Sequence, residues 1–281
     1  MSSHRHAFNI GLNVGGMVLP MLVGVLTVPG LLQRLGQEKF GVLALGWALV
    51  GYFGFLDLGM GRALTQYLAS ADQAGVSRQE QATVACAARR LLGGLSLGMA
   101  LLLWLLLPWL ASFVQMPADL RAQTLAATPL LALAVPLAMW FACSTGVLEA
   151  RSRFAVVNSV RIPTGVGNFV APWLVSLFTA DLFWVIASLL AVRLAGALGM
   201  AWWARPEFAQ PAPRWPNAGI RQLLRFGGWM TVSNLVGPVM SYFDRFAIAA
   251  WVTVAAVTHY TVPFDVISRL PMVPVAIMGV L

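Results

Sequence analysis

Residues 182–203 read LFWVIASLLAVRLAGALGMAWW, and residues 154–178 read FAVVNSVRIPTGVGNFVAPWLVSLF. Each stretch can cross a bilayer as one helix, because a span needs about 20 mostly apolar residues. Each also contains one arginine, Arg193 in the first stretch and Arg161 in the second. A guanidinium stays protonated at physiological pH, and placing it at mid-membrane costs about 2.5–3.5 kcal/mol. We therefore expect each arginine to face either a carboxylate on another helix or a hydrated cavity that receives an anion, and we favour the cavity.

The composition of the whole chain is that of a membrane protein. Apolar residues make up 59% of the 281 residues and charged residues only 10%, whereas soluble domains carry roughly 25% charged residues. The formal net charge of +8 would suit a nucleic-acid-binding protein. However, the basic residues interrupt apolar runs instead of forming a basic domain, which excludes nucleic acid as a partner. No nucleotide-binding loop, catalytic triad or metal-ligand cluster occurs in the sequence, so we expect no enzymatic activity, metal or cofactor.

The apolar stretches predict an all-α, polytopic membrane protein with about eight transmembrane helices. The predicted spans are residues 8–31, 40–68, 88–114, 123–148, 154–178, 181–204, 223–247 and 250–281. Most connections between them are short, which favours antiparallel neighbours.

The best candidate linker is the segment RPEFAQPAPRWPNAGIRQ at residues 205–222. Its four prolines prevent a continuous helix, because proline lacks the backbone donor and clashes with the preceding turn. The linker divides the chain into a first six-helix lobe at residues 1–204 and the first two helices of a second lobe at residues 223–281.

Two features suggest that the second lobe continues the pattern of the first. Phe8 precedes Pro20 at the same spacing as Phe226 precedes Pro238, which favours parallel six-helix repeats. The chain stops at Leu281 inside an apolar run. We therefore expect a truncated chain that lacks the remaining helices of the second lobe.

The basic residues also predict the orientation, because cytoplasmic loops carry an excess of lysine and arginine. With the amino terminus in the cytoplasm, the cytoplasmic side receives Arg5, Arg62, Arg78, Arg89, Arg90, Arg151, Arg153, Arg205, Arg214, Arg221 and Arg225. The outer side receives Arg34, Lys39, Arg121 and Arg245. We interpret Asp244 and Arg245 as interfacial residues, since adjacent side chains on a helix point in different directions.

The acidic residues inside the spans allow two interpretations. Asp57 and the nearby Arg62 either neutralise each other or leave Asp57 facing a central cavity, where it positions a substrate or carries a coupling proton. Asp265 and Arg269 lie one helical turn apart, so they form either a mutual ion pair or part of a substrate site. Asp57 and Asp265 are also the candidate partners of the two arginines in the fifth and sixth spans.

Two segments resemble a known family. The stretch RLGQEKFGVLALGWALVGYFGFLDLGMGRALTQYLA, from Arg34, is similar to the amino-terminal signature of bacterial polysaccharide flippases. YFDRFAIAAW, which contains Asp244 and Arg245, resembles the segment that opens the second half of these proteins, and AAVTHYTV follows it. Thr258 stands where this family usually has glycine. The family is the polysaccharide-transport branch of the multidrug/oligosaccharidyl-lipid/polysaccharide exporter superfamily.

The resemblance implies twelve to fourteen spans in two six-helix lobes around a central cavity. It also implies translocation of an undecaprenyl-pyrophosphate-linked oligosaccharide across the bacterial inner membrane, for lipopolysaccharide O-antigen, capsule or exopolysaccharide. The expected partners are this substrate, membrane lipids, and the polysaccharide polymerase and chain-length machinery. Arginines in the cavity would replace the hydration of the pyrophosphate. The candidate substrate-binding residues are Arg62, Arg161, Arg193 and Arg269, with Asp57 and Asp265 setting arginine positions or responding to protons.

Three other functions stay open on the sequence. A cation-coupled multidrug antiporter of the same superfamily would favour acidic cavity residues, which the excess of intramembrane arginine argues against. A membrane-embedded glycosyltransferase or polymerase would usually need acidic catalytic groups or a long outer loop. A non-transporting scaffold for polysaccharide assembly is the third alternative.

Overall fold

The computed structural model describes residues 3–55, 60–208 and 243–267, with side chains described except at 3–17, 50–55, 60, 265 and 266. This part of the chain consists of helices and short turns without any strand, which confirms the all-α prediction. The helices are α1 (Ser3–Phe55), α2 (Met60–Gln73), α3 (Arg78–Phe113), α4 (Ala118–Ala150), α5 (Phe154–Ser176), α6 (Leu182–Ala204), α7 (residues 243–251) and α8 (Val254–Ile267).

Helix α1 consists of two helical halves that meet at Gly36. Gly36 has φ 76° and ψ 167°, a backbone conformation outside the helical region. Glycine adopts a positive φ without the steric cost that a Cβ would add. The break falls between the predicted spans at residues 8–31 and 40–68, so one glycine supplies the whole turn between them.

Helix α3 begins about three turns before the predicted span at residues 88–114. Ser77 caps its amino terminus by accepting a hydrogen bond from the backbone N–H of Glu80 at 3.2 Å, which satisfies one of the free donors of the first turn. The polar segment before residue 88 therefore continues the helix. The length of the apolar run predicted only the part of the helix from residue 88 onward and missed this polar extension.

Helix α4 lies at the centre of the first six helices and packs against α1, α2, α3 and α6, while α5 packs between α1 and α6. Glycines allow α5 to approach both neighbours closely. A Cβ on Gly165 would lie 2.7 Å from Cγ of Pro20 in α1, and a Cβ on Gly196 in α6 would lie 2.8 Å from Cγ2 of Thr164. This close approach fixes the faces that α5 and α6 turn toward α1.

The turn between α7 and α8 is attached to the first six helices by several hydrogen bonds. The backbone N–H of Gln115, between α3 and α4, donates to the carbonyl of Ala249 at 3.1 Å, and the N–H of Val254 donates to the carbonyl of Gln115 at 3.1 Å. Thr258 Oγ1 donates to the carbonyl of Gln37 at 2.7 Å. We call this side of the bundle the Gly36 end, and the opposite side, where α4 turns into α5, the Ser152 end.

Large apolar side chains lie on the outer surface of the bundle as well as in its core. Leu105 and Phe178 are 64% and 88% exposed, whereas alanines such as Ala88, Ala127 and Ala204 are fully buried. This arrangement suits a bundle surrounded by lipid, where small residues allow close helix packing.

Four described helices are long and apolar enough to cross a membrane. They are Val18–Leu49, Arg78–Phe113, Ala118–Ala150 and Leu182–Phe208. The total of eight spans and the two-lobed repeat stay predictions. Helix α6 ends at Ala204, and a 3₁₀ turn occupies Arg205–Phe208; the rest of the predicted linker and most of the seventh span lie outside the described residues.

We predict that Gly146→Ala destabilises the protein, whereas Gly94→Ala does not. A Cβ on Gly146 would collide with the backbone carbonyl of Gly61 in α2, while a Cβ on Gly94 meets nothing within 4 Å. Overpacking of this kind typically costs about 1–3 kcal/mol, whereas alanine is otherwise favoured over glycine in a helix. Thermal unfolding of the purified variants measures the difference, and equal melting temperatures would contradict the close contact of α2 with α4.

Candidate functional site

A cavity of about 440 Å³ lies between α1, α5, α6, α7 and α8, within the size range of small-molecule sites. Its wall includes Pro29 and Phe40, which lie on either side of the break at Gly36. The polar groups in its wall are Trp47, Asn168, Arg193, Arg245 and Thr261. The two halves of α1 and four other helices therefore converge on one polar space inside an apolar bundle.

Arg193 enters the cavity because it lies on the inward face of α6. Ile186, Leu189 and Met200, which follow the same helical spacing, are all buried. Residues three or four positions apart share one helix face, so an arginine at position 193 must point toward the centre of the bundle. Arg193 therefore lines this cavity, while its role in substrate binding stays a prediction.

Arg245 enters the cavity from α7 and is only 5% exposed. Its guanidinium lies over the ring of Phe264 in α8, with 5.8 Å between the guanidinium carbon and the ring centroid. Arg245 is therefore covered by the protein itself, because α8 packs back against α1. Its position at the depth of the membrane interface stays a prediction.

Several buried polar atoms of the cavity wall have no hydrogen-bond partner within the described part of the chain. They are Nε1 of Trp47, Oδ1 of Asn168, Nε of Arg193 and Oγ1 of Thr261. Buried polar groups without a partner are rare in folded proteins, and each one calls for an explanation such as a bound water, ion or ligand. Their convergence on one cavity indicates a site that is built to receive a polar ligand.

Aromatic rings form the apolar part of the same wall. Trp47 packs against Phe40 with 6.0 Å between ring centroids, and against Phe169 of α5 with 5.4 Å between centroids. A Cβ on Gly24 in α1 would come within 3.2 Å of the Phe169 ring. The rings are therefore held in place by close packing of α1 against α5, and they form an apolar side of the cavity wall.

The arrangement is suited to binding an anion. Two guanidiniums supply fixed positive charge and planar sets of N–H donors, which match the oxygens of phosphate and carboxylate groups. The Trp47 N–H, the Thr261 hydroxyl and the Asn168 amide can add neutral hydrogen bonds. None of the described wall residues is acidic. Charges interact more strongly in an apolar environment than in water, so the two guanidiniums of the described wall favour an anion as ligand.

Arg161 does not line this cavity. Its Nη2 donates to Oε1 of Glu149 at 2.7 Å, and this ion pair joins α5 to α4. The described partner of Arg161 is Glu149, whereas the sequence suggested only Asp57 and Asp265 as partners; a role of Arg161 in substrate binding stays a prediction. Glu149 ends the preceding helix, and the short turn at Ser152 brings it beside Arg161. A search limited to one helical turn could not find this pair.

A second cavity, of about 550 Å³, lies at the Ser152 end, and its charged groups neutralise one another. Arg151 is bonded through Nε to Oε2 of Glu207 at 3.0 Å and through Nη1 to Oε1 of Gln81 at 2.8 Å. Asp72 forms an ion pair with Arg78, with 3.3 Å between Oδ1 of Asp72 and Nη2 of Arg78. These contacts connect the turns at this end and leave no unmatched charge among the described wall residues.

Among the remaining predicted site residues, the structure describes the side chain of Arg62 alone. Arg62 is an exposed side chain at the start of α2. Asp57 and Arg269 lie outside the described residues, and Asp265 belongs to α8 without a described side chain. Their roles in binding stay predictions.

Sequence reasoning missed Trp47, Asn168, Arg245 and Thr261 as members of one site. Part of the signal was present: Val254, Val257 and Thr261 recur at helical spacing and are buried, which places Thr261 on the inner face of α8. The aromatic pair Phe40 and Trp47 is also separated by two helical turns. No single segment of the sequence, however, indicates that five helices converge on one cavity.

Comparison with known proteins places the chain in context. A family model described as "Polysaccharide biosynthesis protein" matches residues 7–281. The chain is 28% identical over 265 residues to a protein from Shigella flexneri named "Putative O-antigen transporter", and the alignment covers 94% of this chain and 63% of that protein. The chain thus spans less than two thirds of the length of this relative. No solved structure matches it.

We predict that the Arg161–Glu149 pair behaves as a structural ion pair. Glu149→Arg places two guanidiniums together and should lower both membrane abundance and melting temperature, because like charges repel. The double variant Glu149→Arg/Arg161→Glu should recover most of the loss. Immunoblotting and thermal unfolding measure both effects. If the double variant were no better than Glu149→Arg alone, the pair would not stabilise the bundle.

Proposed function

Because the chain belongs to the polysaccharide biosynthesis protein family, we propose that it is a flippase for a lipid-linked oligosaccharide in cell-surface polysaccharide synthesis. The proposal extends the name of the Shigella flexneri relative, which is that of an O-antigen transporter. It assigns the chain transport rather than catalysis, and a multi-pass location in the bacterial inner membrane with a cytoplasmic amino terminus.

The observation that carries the proposal is the cavity that Arg193 and Arg245 share inside an apolar bundle. A lipid-linked sugar with a phosphate linkage brings an anion into a region without water. The cost of removing that anion from water is offset only if protein groups replace its hydration. Guanidiniums and neutral donors in a preformed cavity supply such groups, and the surrounding apolar surface suits the lipid.

The substrate we propose is an oligosaccharide linked to undecaprenyl pyrophosphate, which moves from the cytoplasmic to the periplasmic leaflet. Arg193 and Arg245 would bind the pyrophosphate. Arg161, Arg62, Arg269, Asp57 and Asp265 stay candidates for other stages of transport. The cavity would be exposed to each side in turn by rocking of the two lobes, with the polymerase and chain-length machinery acting on the product.

The charge of the cavity favours this function over transport of organic cations. A multidrug antiporter for cations needs acidic groups at its site, whereas the described wall contains two arginines and no carboxylate. Transport of organic cations by the purified protein would reverse this preference.

We predict that Arg193→Ala and Arg245→Ala each lower transport at least about tenfold, because losing a hydrogen bond to a charged group typically costs about 1.5–3 kcal/mol. Arg121→Ala is the matched control, since Arg121 is an exposed arginine of α4 outside the cavity wall. The measurement is recovery of surface polysaccharide in the native host after deletion of the gene, at equal membrane abundance of each variant. Arg193→Lys should keep part of the activity through its charge.

Normal surface polysaccharide with Arg193→Ala and Arg245→Ala, at parental abundance, would rule out this cavity as the substrate site. Reconstitution of purified protein in vesicles containing a fluorescent diphosphate-linked oligosaccharide then separates transport from assembly. Loss of polysaccharide without loss of flipping in the vesicles would instead favour a scaffold role.

A further inference from the structure

We propose that Asp244 and Tyr260 are positioning residues that hold the Arg245 guanidinium against the anion site. The proposal rests on the proposed function, since it concerns how that site is assembled. It assigns Asp244 an indirect role, behind Arg245 and outside the described cavity wall, and it gives Tyr260 a function that its place in an apolar helix does not suggest.

Asp244 connects the two helices that carry Arg245 and Thr261. Its Oδ1 accepts a hydrogen bond from the backbone N–H of Arg245 at 2.8 Å. Its Oδ2 accepts a hydrogen bond from the Tyr260 hydroxyl in α8. One carboxylate therefore fixes the backbone at Arg245 and also attaches it to the neighbouring helix.

Arg245 lies over Phe264, and the ring of Phe264 is stacked on that of Tyr260. Their rings are stacked, with 5.4 Å between centroids and an interplanar angle of 20°. The guanidinium of Arg245 lies 5.8 Å from the centroid of Phe264, where the negative face of a ring attracts a cation. Tyr260 thus affects the position of Arg245 in two ways. Its hydroxyl donates to the carboxylate of Asp244, and its ring stacks on that of Phe264.

Removal of this contact should leave the rest of the α7–α8 turn in place. The turn is attached to the α3–α4 connection by the hydrogen bonds of Gln115, and α8 is attached to α1 by the bond from Thr258 to Gln37. None of these bonds uses Asp244 or Tyr260. The loss of the Tyr260 hydroxyl should therefore change the position of Arg245 more than the fold.

The contacts of the carboxylate are directed at the two helices that it joins. Its two oxygens accept hydrogen bonds from the Arg245 backbone and from the Tyr260 hydroxyl. Asp244 is also absent from the described cavity wall. Its action on the substrate would be indirect, through Arg245.

The test is a double-mutant cycle on anion affinity, measured by calorimetry with inorganic pyrophosphate on the purified full chain in lipid nanodiscs. We expect Arg245→Ala to weaken binding at least about tenfold and Tyr260→Phe to weaken it about threefold to tenfold. The double variant should be no weaker than Arg245→Ala alone, because residues that act through one another are not additive. Asp244→Ala should behave like Tyr260→Phe.

Tyr67→Phe is the matched control, because it removes the same hydroxyl from a tyrosine of α2 near the Ser152 end. It should leave pyrophosphate affinity unchanged. Melting temperatures within a few degrees of the parent show that Tyr260→Phe keeps the fold. If Asp244→Ala is too unstable to purify, Tyr260→Phe decides the test by itself.

The outcomes separate the two proposals. Additive losses in the double variant, or parental affinity in Tyr260→Phe, would overturn the positioning role while leaving the anion site intact. Equal affinity of the parent, Arg193→Ala and Arg245→Ala would instead overturn the anion site of the proposed function. Phosphate and sulfate could also compete with pyrophosphate to the same degree in the parent and in all variants. That result would show only general charge attraction and would also overturn the positioning role.

Discussion

The high cost of burying an arginine in an apolar bundle constrains the whole structure. A guanidinium cannot lose its proton to escape that cost, so the fold must give it a partner, a cavity or access to the surface. Arg161 is paired with Glu149, and Arg151 is bonded to Glu207 and Gln81. Arg193 instead faces a cavity, where its Nε has no partner within the described residues.

The two ends of the bundle use charge for different purposes. At the Ser152 end, acidic and basic side chains are matched, and their bonds connect the turns between helices. Near the Gly36 end, two arginines and several neutral polar groups surround one cavity whose described wall has no acidic residue. Matched charges stabilise a geometry, whereas positive charge in the wall of a cavity is suited to receiving an anion. The first arrangement is suited to holding the lobe together and the second to binding.

Close helix packing makes the cavity lined by Arg193 and Arg245 possible. Glycines at positions 24, 165 and 196 allow α1, α5 and α6 to approach until side chains of one helix touch the backbone region of the next. The approach locks the Phe169 ring and the inward face of α6, so Arg193 has little freedom to reach the surface. A closely packed wall of this kind holds the donors in advance of the ligand, which lowers the entropic cost of binding.

The sequence by itself determined the all-helical membrane class, the places where most helices lie and the inward position of Arg193. These properties follow from local quantities, namely apolar length, helical spacing and the cost of a lone buried charge. Only the tertiary structure decided that Arg161 is paired and that Arg245 is buried, because Glu149 and the α7–α8 turn reach them from other segments. It alone brought Trp47, Asn168 and Thr261 to the same cavity, and it gave Asp244 its contact with Tyr260. A contact between distant segments depends on how helices pack, and no spacing rule within one helix encodes it.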